Sequence, residues 1–280
     1  MPQAAEIASR GRLLFPLIAS VTILVPAGVV GESPGTTSRS AGPITATISI
    51  LALDPETGEC GAAVASKYPA VGKVVPYVKP GVGAFCTQHY HHPPWGPQAL
   101  KLLGEGLAPE RVIGQLLADD PRRELRQLAI IDMTGRVANH NPSAAPVRSR
   151  YWGAQSGRFY SCQGNTLAGR KVIAEMARAY EQTKGSLADR LMAALVAGYC
   201  AGGDHRGRLA AGIKVARRGK PGTWFQLHVD KSDDAVAELL KTYVATKHPA
   251  KGSWKGGCLL YTSDAADDTP CVDLGGRRII

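Results

Sequence analysis

Thr47 opens the run Thr47-Ile48-Ser49-Ile50-Leu51-Ala52-Leu53-Asp54, and its chemistry depends on what precedes it. A threonine at the first position of a mature chain can use its own α-amino group as the base that activates its hydroxyl; an internal threonine has no such amine. A free α-amino group has a pKa of roughly 7.7–8.0, so it can take the hydroxyl proton near neutral pH, directly or through a water. Here 46 residues stand before Thr47, so the chemistry requires processing that exposes it. The plainer account is a β-branched residue opening a strand.

Other residues could serve such a nucleophile. Lys67 closes the second apolar run, and a hairpin would bring it to the same end as Thr47. An ammonium there would lower the pKa of the amine and stabilise developing negative charge. A solvated lysine at a strand end explains it equally well. Gln163-Gly164-Asn165 stands at an expected strand-to-helix turn. The Asn165 amide and the free N–H groups of a helix start could bind an oxyanion there, or Asn165 could cap the helix. In Gly202-Gly203-Asp204-His205-Arg206-Gly207-Arg208, Asp204 and Arg206 either pair to hold a loop or offer arginines to a substrate carboxylate. His89-Tyr90-His91-His92 suggests metal ligands, but Pro93-Pro94 interrupts it and no companion carboxylate stands at a diagnostic spacing. No metal and no cofactor is therefore expected.

These residues need a frame. Residues 47–54 are apolar and β-branched, Pro55-Glu56-Thr57-Gly58 supplies a turn, and 60–66 reads as the partner strand. Strands are expected at 72–78, 81–88, 127–132, 136–140, 159–163, 207–216 and 223–229. Helices are expected at 98–104, 109–118 (Pro109 at its opening), 167–182, 187–200 (Ser186 as N-cap) and 233–245. Strand and helix runs segregated in this way imply layers, which suits two face-to-face sheets with helices outside better than a doubly wound parallel sheet.

The two ends fall outside this frame. Arg10 and Arg12 precede a short apolar core at 13–25, followed by small residues, which is the layout of an export signal over 1–31. Pro16 and Pro26 bracket too few residues for the ~20 a membrane span needs, so no stable membrane insertion is expected once it is removed. Residues 32–46 read as a linker or pro-segment, 47–250 as the domain and 251–280 as a tail. Within that tail, 258–280 begins with a stretch resembling a translated sequencing adapter. Between Thr47 and Gly257 there are 28 Lys and Arg against 17 Asp and Glu, a formal charge of +11. The basic residues are scattered, with one cluster at Arg217-Arg218-Gly219-Lys220, and no nucleic-acid recognition motif accompanies them. Cys60, Cys86, Cys162 and Cys200 could form two disulfides in an exported chain or be small buried thiols; no pairing follows.

Several blocks together resemble the domain-of-unknown-function family 1028, a group related to the N-terminal-nucleophile (Ntn) hydrolases. They are residues 49–58, Ala63-Val64-Ala65-Ser66-Lys67-Tyr68-Pro69-Ala70-Val71-Gly72, Gly81-Val82-Gly83-Ala84 with Thr87-Gln88, residues 163–169 and residues 201–208. The family's members typically open Thr-Phe-Ser-Ile after the initiator methionine; here Ile48 replaces the Phe and a 46-residue leader replaces the methionine. Lys67 stands where Arg is more usual, and Leu209-Ala210-Ala211 replaces Gln-Ser-Ala. The resemblance implies an α+β, four-layer αββα sandwich and an amide-bond hydrolase by analogy of fold. It also implies a catalytic group of Thr47, Lys67 and Asn165, with substrate contacts at Ser49, Thr87, Gln88, Gln163, Gly164, Asp204 and Arg206. The expectation is an exported hydrolase of a small-molecule or peptide-like amide, with a homo-oligomer left open. The alternatives are a catalytically silent binding module of the same fold and a metal-dependent hydrolase using His89, His91 and His92.

Overall fold

The computed structural model describes residues 44–45, 47–141 and 149–247. The expected signal at 1–31, most of 32–46 and the tail from 251, with its adapter-like stretch, lie outside the described residues.

Strands β2 (Thr47–Asp54) and β3 (Glu59–Ser66) form the expected hairpin, with Thr47 opposite Ser66 and Asp54 opposite Glu59. Both lie inside a six-stranded antiparallel sheet. On one side β3 pairs with β10 (Ala210–Arg217), which pairs with β11 (Phe225–Val229). On the other side β2 pairs with β9 (Tyr160–Leu167), which pairs with β8 (Tyr151–Gly157). The second sheet is five-stranded. Its centre is β5 (Gly83–Tyr90), paired with β6 (Arg126–Asp132) on one side and, on the other, with both β4 (Pro76–Lys79) and the short β1 (Ile44–Thr45); β7 (Val137–His140) follows β6.

Alternation along β2 shows how the layers are built. Ile48, Ile50 and Ala52 pack with α4 (Lys171–Gln182), α5 (Leu187–Cys200) and α6 (Ala235–Lys247) on the outer face of the six-stranded sheet. Leu51 and Leu53 point the other way, onto Ala84, Cys86, Ala129 and Ile131 of the second sheet. That sheet's other face, carrying Phe85, Leu128 and Ile130, is covered by α2 (Trp95–Gly104) and α3 (Pro109–Leu117). The described residues therefore form an α+β sandwich of two antiparallel sheets with helices outside. A strand buried on both faces reads as an unbroken apolar run because neither parity meets water. Each fully buried leucine or isoleucine contributes on the order of 1.5–3 kcal/mol. The α5 start carries the expected Ser186 cap, in which Asp189 N–H donates to Ser186 Oγ and Ser186 N–H donates back to Asp189 Oδ2.

Several boundaries differ from expectation. Residues 72–78 divide into a short helix α1 (Val71–Val74) and β4, because Pro76 has no N–H and begins the strand at a non-bonding position. Pro94 initiates α2 at Trp95, so the two prolines start a helix where the sequence suggested only interruption. Strand β9 runs on through Leu167, and α4 begins only at Lys171. Gln163-Gly164-Asn165 is therefore strand, not a turn into a helix, and Asn165 caps nothing. Strand β8 was not expected: as a half-exposed edge strand reading Tyr-Trp-Gly-Ala-Gln-Ser-Gly, it lacks an apolar alternation. Cys60, Cys86 and Cys162 are buried thiols.

Candidate active site

The layer between the sheets is apolar at one end and polar at the other. From Leu51 and Leu53 the β2 residues of inward parity change to Ser49 and Thr47, and on β5 and β6 the same parity leads to Gln88 and Gln127. All four are buried. Their contacts form one network of uncharged side chains. Ser49 Oγ donates to Gln88 Oε1 at 2.8 Å, and Gln88 Nε2 donates to Gln127 Oε1 at 2.7 Å and to the Thr47 carbonyl at 3.4 Å. Gln127 Oε1 also accepts from Asn165 Nδ2 at 2.9 Å. Gln127 Nε2 in turn donates to Asn141 Oδ1 at 2.7 Å, the Gly164 carbonyl at 2.8 Å and, more weakly, the Gly153 carbonyl at 3.3 Å.

Thr47 sits at the outer limit of this network. Its hydroxyl reaches Ser66 Oγ across the hairpin at 3.4 Å, and Ser66 Oγ accepts from Tyr68 N–H at 2.9 Å. On its other side the β2–β9 pairing runs to Ile48↔Gly164, so Thr47 and Asn165 are neighbours one step further on. A Cβ at 164 would lie 2.8 Å from Leu167 Cδ2 and 3.1 Å from the Thr47 carbonyl, so glycine lets β9 lie close against β2 here. The β8–β9 register passes from Gly153↔Gly164 to Tyr151↔Leu167, so β9 carries one extra residue at this point. Thr166 takes φ 54°, costly for a β-branched side chain. Such a bulge turns side chains out of the ladder and recurs beside functional sites.

Asp204 secures this end. Its Oδ2 accepts from Lys67 N–H at 3.1 Å, and its Oδ1 accepts from Arg206 N–H at 3.0 Å and Thr166 Oγ1 at 3.4 Å. Arg206 adds a forked ion pair through Nε and Nη2. One buried carboxylate thus ties the ends of β3 and β9 to the loop before β10. The Lys67 ammonium lies beside Gly207, about 3.5 Å from where a Cβ would stand, and its N–H is fixed at the Thr47 end through Asp204.

Of the expected residues, the structure gathers Thr47, Ser49, Gln88, Gly164 and Asn165 around one point. Gln163 lies opposite Ser49 in the ladder and is fully buried; among the described residues neither atom of its amide has a hydrogen-bond partner, nor does Asn165 Oδ1. Thr87 falls elsewhere: it shares Phe85's parity, faces the α2–α3 layer and accepts from His92 N–H at 3.2 Å. The histidines also separate. His89 is buried with φ 66° and bonds Leu125 O through Nδ1, His91 packs on Tyr68, and His92 packs on Trp95. Among the described residues no group of three His, Cys, Asp or Glu side chains could hold a metal ion. Burial pushes the Cys60 thiol up to about 11 and Cys86 up to about 12, so neither is a thiolate near neutral pH. Ser66 and Gln127 escaped the sequence reading. The usable signal for Gln127 was a carboxamide directly before the apolar run Leu128-Ala129-Ile130-Ile131.

Comparison with known proteins places this geometry. The profile of a family described as "Family of unknown function (DUF1028)" matches residues 47–239. Among solved structures, the crystal structure of protein SPO2555 from Silicibacter pomeroyi, also assigned to DUF1028, superposes with a TM-score of 0.66 at 29% sequence identity. The match covers 74% of this chain and 88% of that one. No curated protein matches. No helix among the described residues is long and apolar enough to cross a membrane.

Proposed function

The chain belongs to the DUF1028 family, and from that premise we propose that it is an exported Ntn-type hydrolase that cleaves an amide bond with Thr47 as nucleophile. The observation that carries this reading is the position of Thr47. It is the first residue of a central strand, with its hydroxyl against Ser66 and its carbonyl held by Gln88, at the polar end between two sheets flanked by helices. That layering fits the four-layer αββα sandwich of such enzymes.

Cleavage of the Ala46–Thr47 bond frees the α-amino group. The amine takes the hydroxyl proton as Oγ attacks the substrate carbonyl carbon. The C–N bond breaks, the amine leaves with that proton, and an ester to Thr47 remains until water hydrolyses it to the acid. Asn165 supplies the oxyanion donor: its Nδ2 carries two protons, and the bond to Gln127 uses one. The unbonded Gln163 amide offers a donor and an acceptor to a polar amide substrate. Lys67 acts through its positive charge at this end of the hairpin, while Asp204 and Arg206 position the loop.

Mass spectrometry of the active protein is expected to show a chain beginning at Thr47. Thr47→Ala then abolishes turnover with the fold intact, and Thr47→Ser retains part of it. Full activity in a chain that keeps residues 32–46 would end this mechanism.

A further inference from the structure

The acyl-side subsite can be read from what stands before Thr47. Strand β4 covers the edge of β5 only as far as Cys86, paired with Pro76. Beyond it the same edge is taken by β1, antiparallel, with Thr45 opposite His89 and Ile44 opposite Tyr90. Thr47 belongs to the other sheet, where it pairs with Ser66. The chain therefore passes from one sheet to the other across the bond that processing must cut. That bond is bracketed on both sides: Thr45 pairs with His89, and the side chain of the preceding β5 residue, Gln88, holds the Thr47 carbonyl.

The far end of β5 is held in place independently of β1. Arg126, opposite His89 on β6, donates to the Tyr90 carbonyl, and His89 Nδ1 bonds the Leu125 carbonyl. Arg126 is itself held by Asp120 at 2.6 Å. With residues before Thr47 removed, this fixed edge loses its β1 partner beside the new amine. An exposed edge of this kind takes up an extended peptide by strand addition.

We propose that the β5 edge at His89 and Tyr90 is the subsite for the acyl part of the substrate, and that this part is an extended peptide lying antiparallel to β5 as β1 does in the uncut chain. The inference rests on Thr47 being the nucleophile, and it narrows the substrate from amides in general to peptides with at least two residues before the scissile carbonyl. The chemistry makes the two occupants equivalent. Attack of Thr47 Oγ on the carbonyl before it moves the acyl group from nitrogen to oxygen, leaving an ester to a peptide that ends in Ile-Thr-Ala. An acyl-enzyme formed on an external peptide of that sequence is the same species. The leader thus fills the site it must vacate, and an uncut chain is both without its base and blocked at the acyl side.

The test compares the full chain with the same chain beginning at residue 47 and carrying Thr47→Ala, so that binding is read without turnover. The probe is acetyl-Ile-Thr-Ala-amide, followed by calorimetry and by hydrogen exchange at residues 88–91. Saturable binding to the cut chain is expected, with slower exchange at His89 and Tyr90 and none of either effect in the uncut chain. N-methylation of the peptide at the Ile or the Thr position, whichever faces the ladder, should weaken binding tenfold or more. Absence of binding to the cut chain, equal binding to both chains, or indifference to both N-methylations overturns the proposal. The nucleophile reading fails separately, through Thr47→Ala turnover, and the binding data remain interpretable in that case. Hydrolysis of non-peptide amides without peptide binding sinks this inference alone.

Discussion

Replacing Gln127 with leucine tests whether the carboxamide network holds the two sheets in register at the Thr47 end. The side chain is fully buried and connects β6 to β5, β9 and Asn141. Leucine has a similar volume and removes every polar contact. Four partners lose a bond of 2.7–2.9 Å: Gln88 Nε2, Asn165 Nδ2, Asn141 Oδ1 and the Gly164 carbonyl. The Gly153 contact at 3.3 Å shares the same two protons and is not counted. A buried polar group left unsatisfied costs ~1–3 kcal/mol. Asn141 is exposed and takes water instead, so three buried groups at about 1.5 kcal/mol each, less about 2 kcal/mol regained by burying an apolar side chain, give an expected loss of about 2.5 kcal/mol. For a domain of this size that lowers Tm by roughly 5–10 °C. Urea denaturation gives the free energy, and an unchanged m-value confirms that the same surface is exposed. Because Gln88 also carries the Thr47 carbonyl, turnover should fall with stability. A loss under about 1 kcal/mol would refute the argument, showing that water replaces the network at no cost.

Three further outcomes follow from other sites. Asp120 and Arg126 form a buried bidentate pair; burial alone would raise the Asp120 carboxyl, but the Arg126 guanidinium outweighs it and the pKa is lowered. A lowered folded pKa means that the pair's contribution is complete above the ordinary carboxylate range and is lost as pH falls through the lowered value. Tm should therefore drop more steeply below about pH 4 in the parent than in Asp120→Asn, and parallel curves would disprove the linkage. Asp204→Ala should cost about 2–4 kcal/mol and speed hydrogen exchange over residues 202–207, since four N–H donors lose one carboxylate. Arg206→Ala, at a side chain 34% exposed, should cost under about 1 kcal/mol; a raised KM at unchanged stability would instead make Arg206 a substrate contact. Protein purified without a histidine tag should carry no stoichiometric zinc, and tight metal lost on His89→Ala would revive the metal-dependent alternative.

Much of the frame was legible because both faces of the central strands are dry. In β2 and β3 nearly every residue is apolar or small, so the strands and their hairpin could be read from composition and the Pro-Glu-Thr-Gly turn alone. Legibility failed where a tertiary contact decides the local conformation. Asn165 looked like a helix cap because Gly164 precedes it and an amphipathic stretch follows; what makes it strand is pairing with β8 across a bulge, contacts with no local signature. Thr87 and Gln88 are adjacent and equally buried, yet only Gln88 faces Thr47. Parity separates them, and parity could be fixed only by knowing that Phe85 belongs to the helix side.

The same parity argument explains why the site stands where it does. Two sheets packed face to face share a single interior, and an apolar filling closes it from Leu51 to Ala129. A polar group there needs a partner on the opposite sheet, and glutamine is long enough to provide one across the gap without charge. Gln88 and Gln127 do so for the Ser49 hydroxyl, the Thr47 carbonyl and Asn165 Nδ2, which lets these groups stay buried and paired. On the proposed reading this surround acts on an amine generated at Thr47. Burial disfavours its protonated form, and the Asp204 carboxylate at this end is already forked to Arg206. Both favour the free base, the form that proton transfer from the hydroxyl requires. Gln88→Glu places a carboxylate against the Thr47 carbonyl and should reverse this. In the chain beginning at Thr47, the amine's pKa, read from the pH dependence of turnover, should rise by one unit or more, moving the activity limb to higher pH. An unmoved limb would show that the group titrating in turnover is not the Thr47 amine.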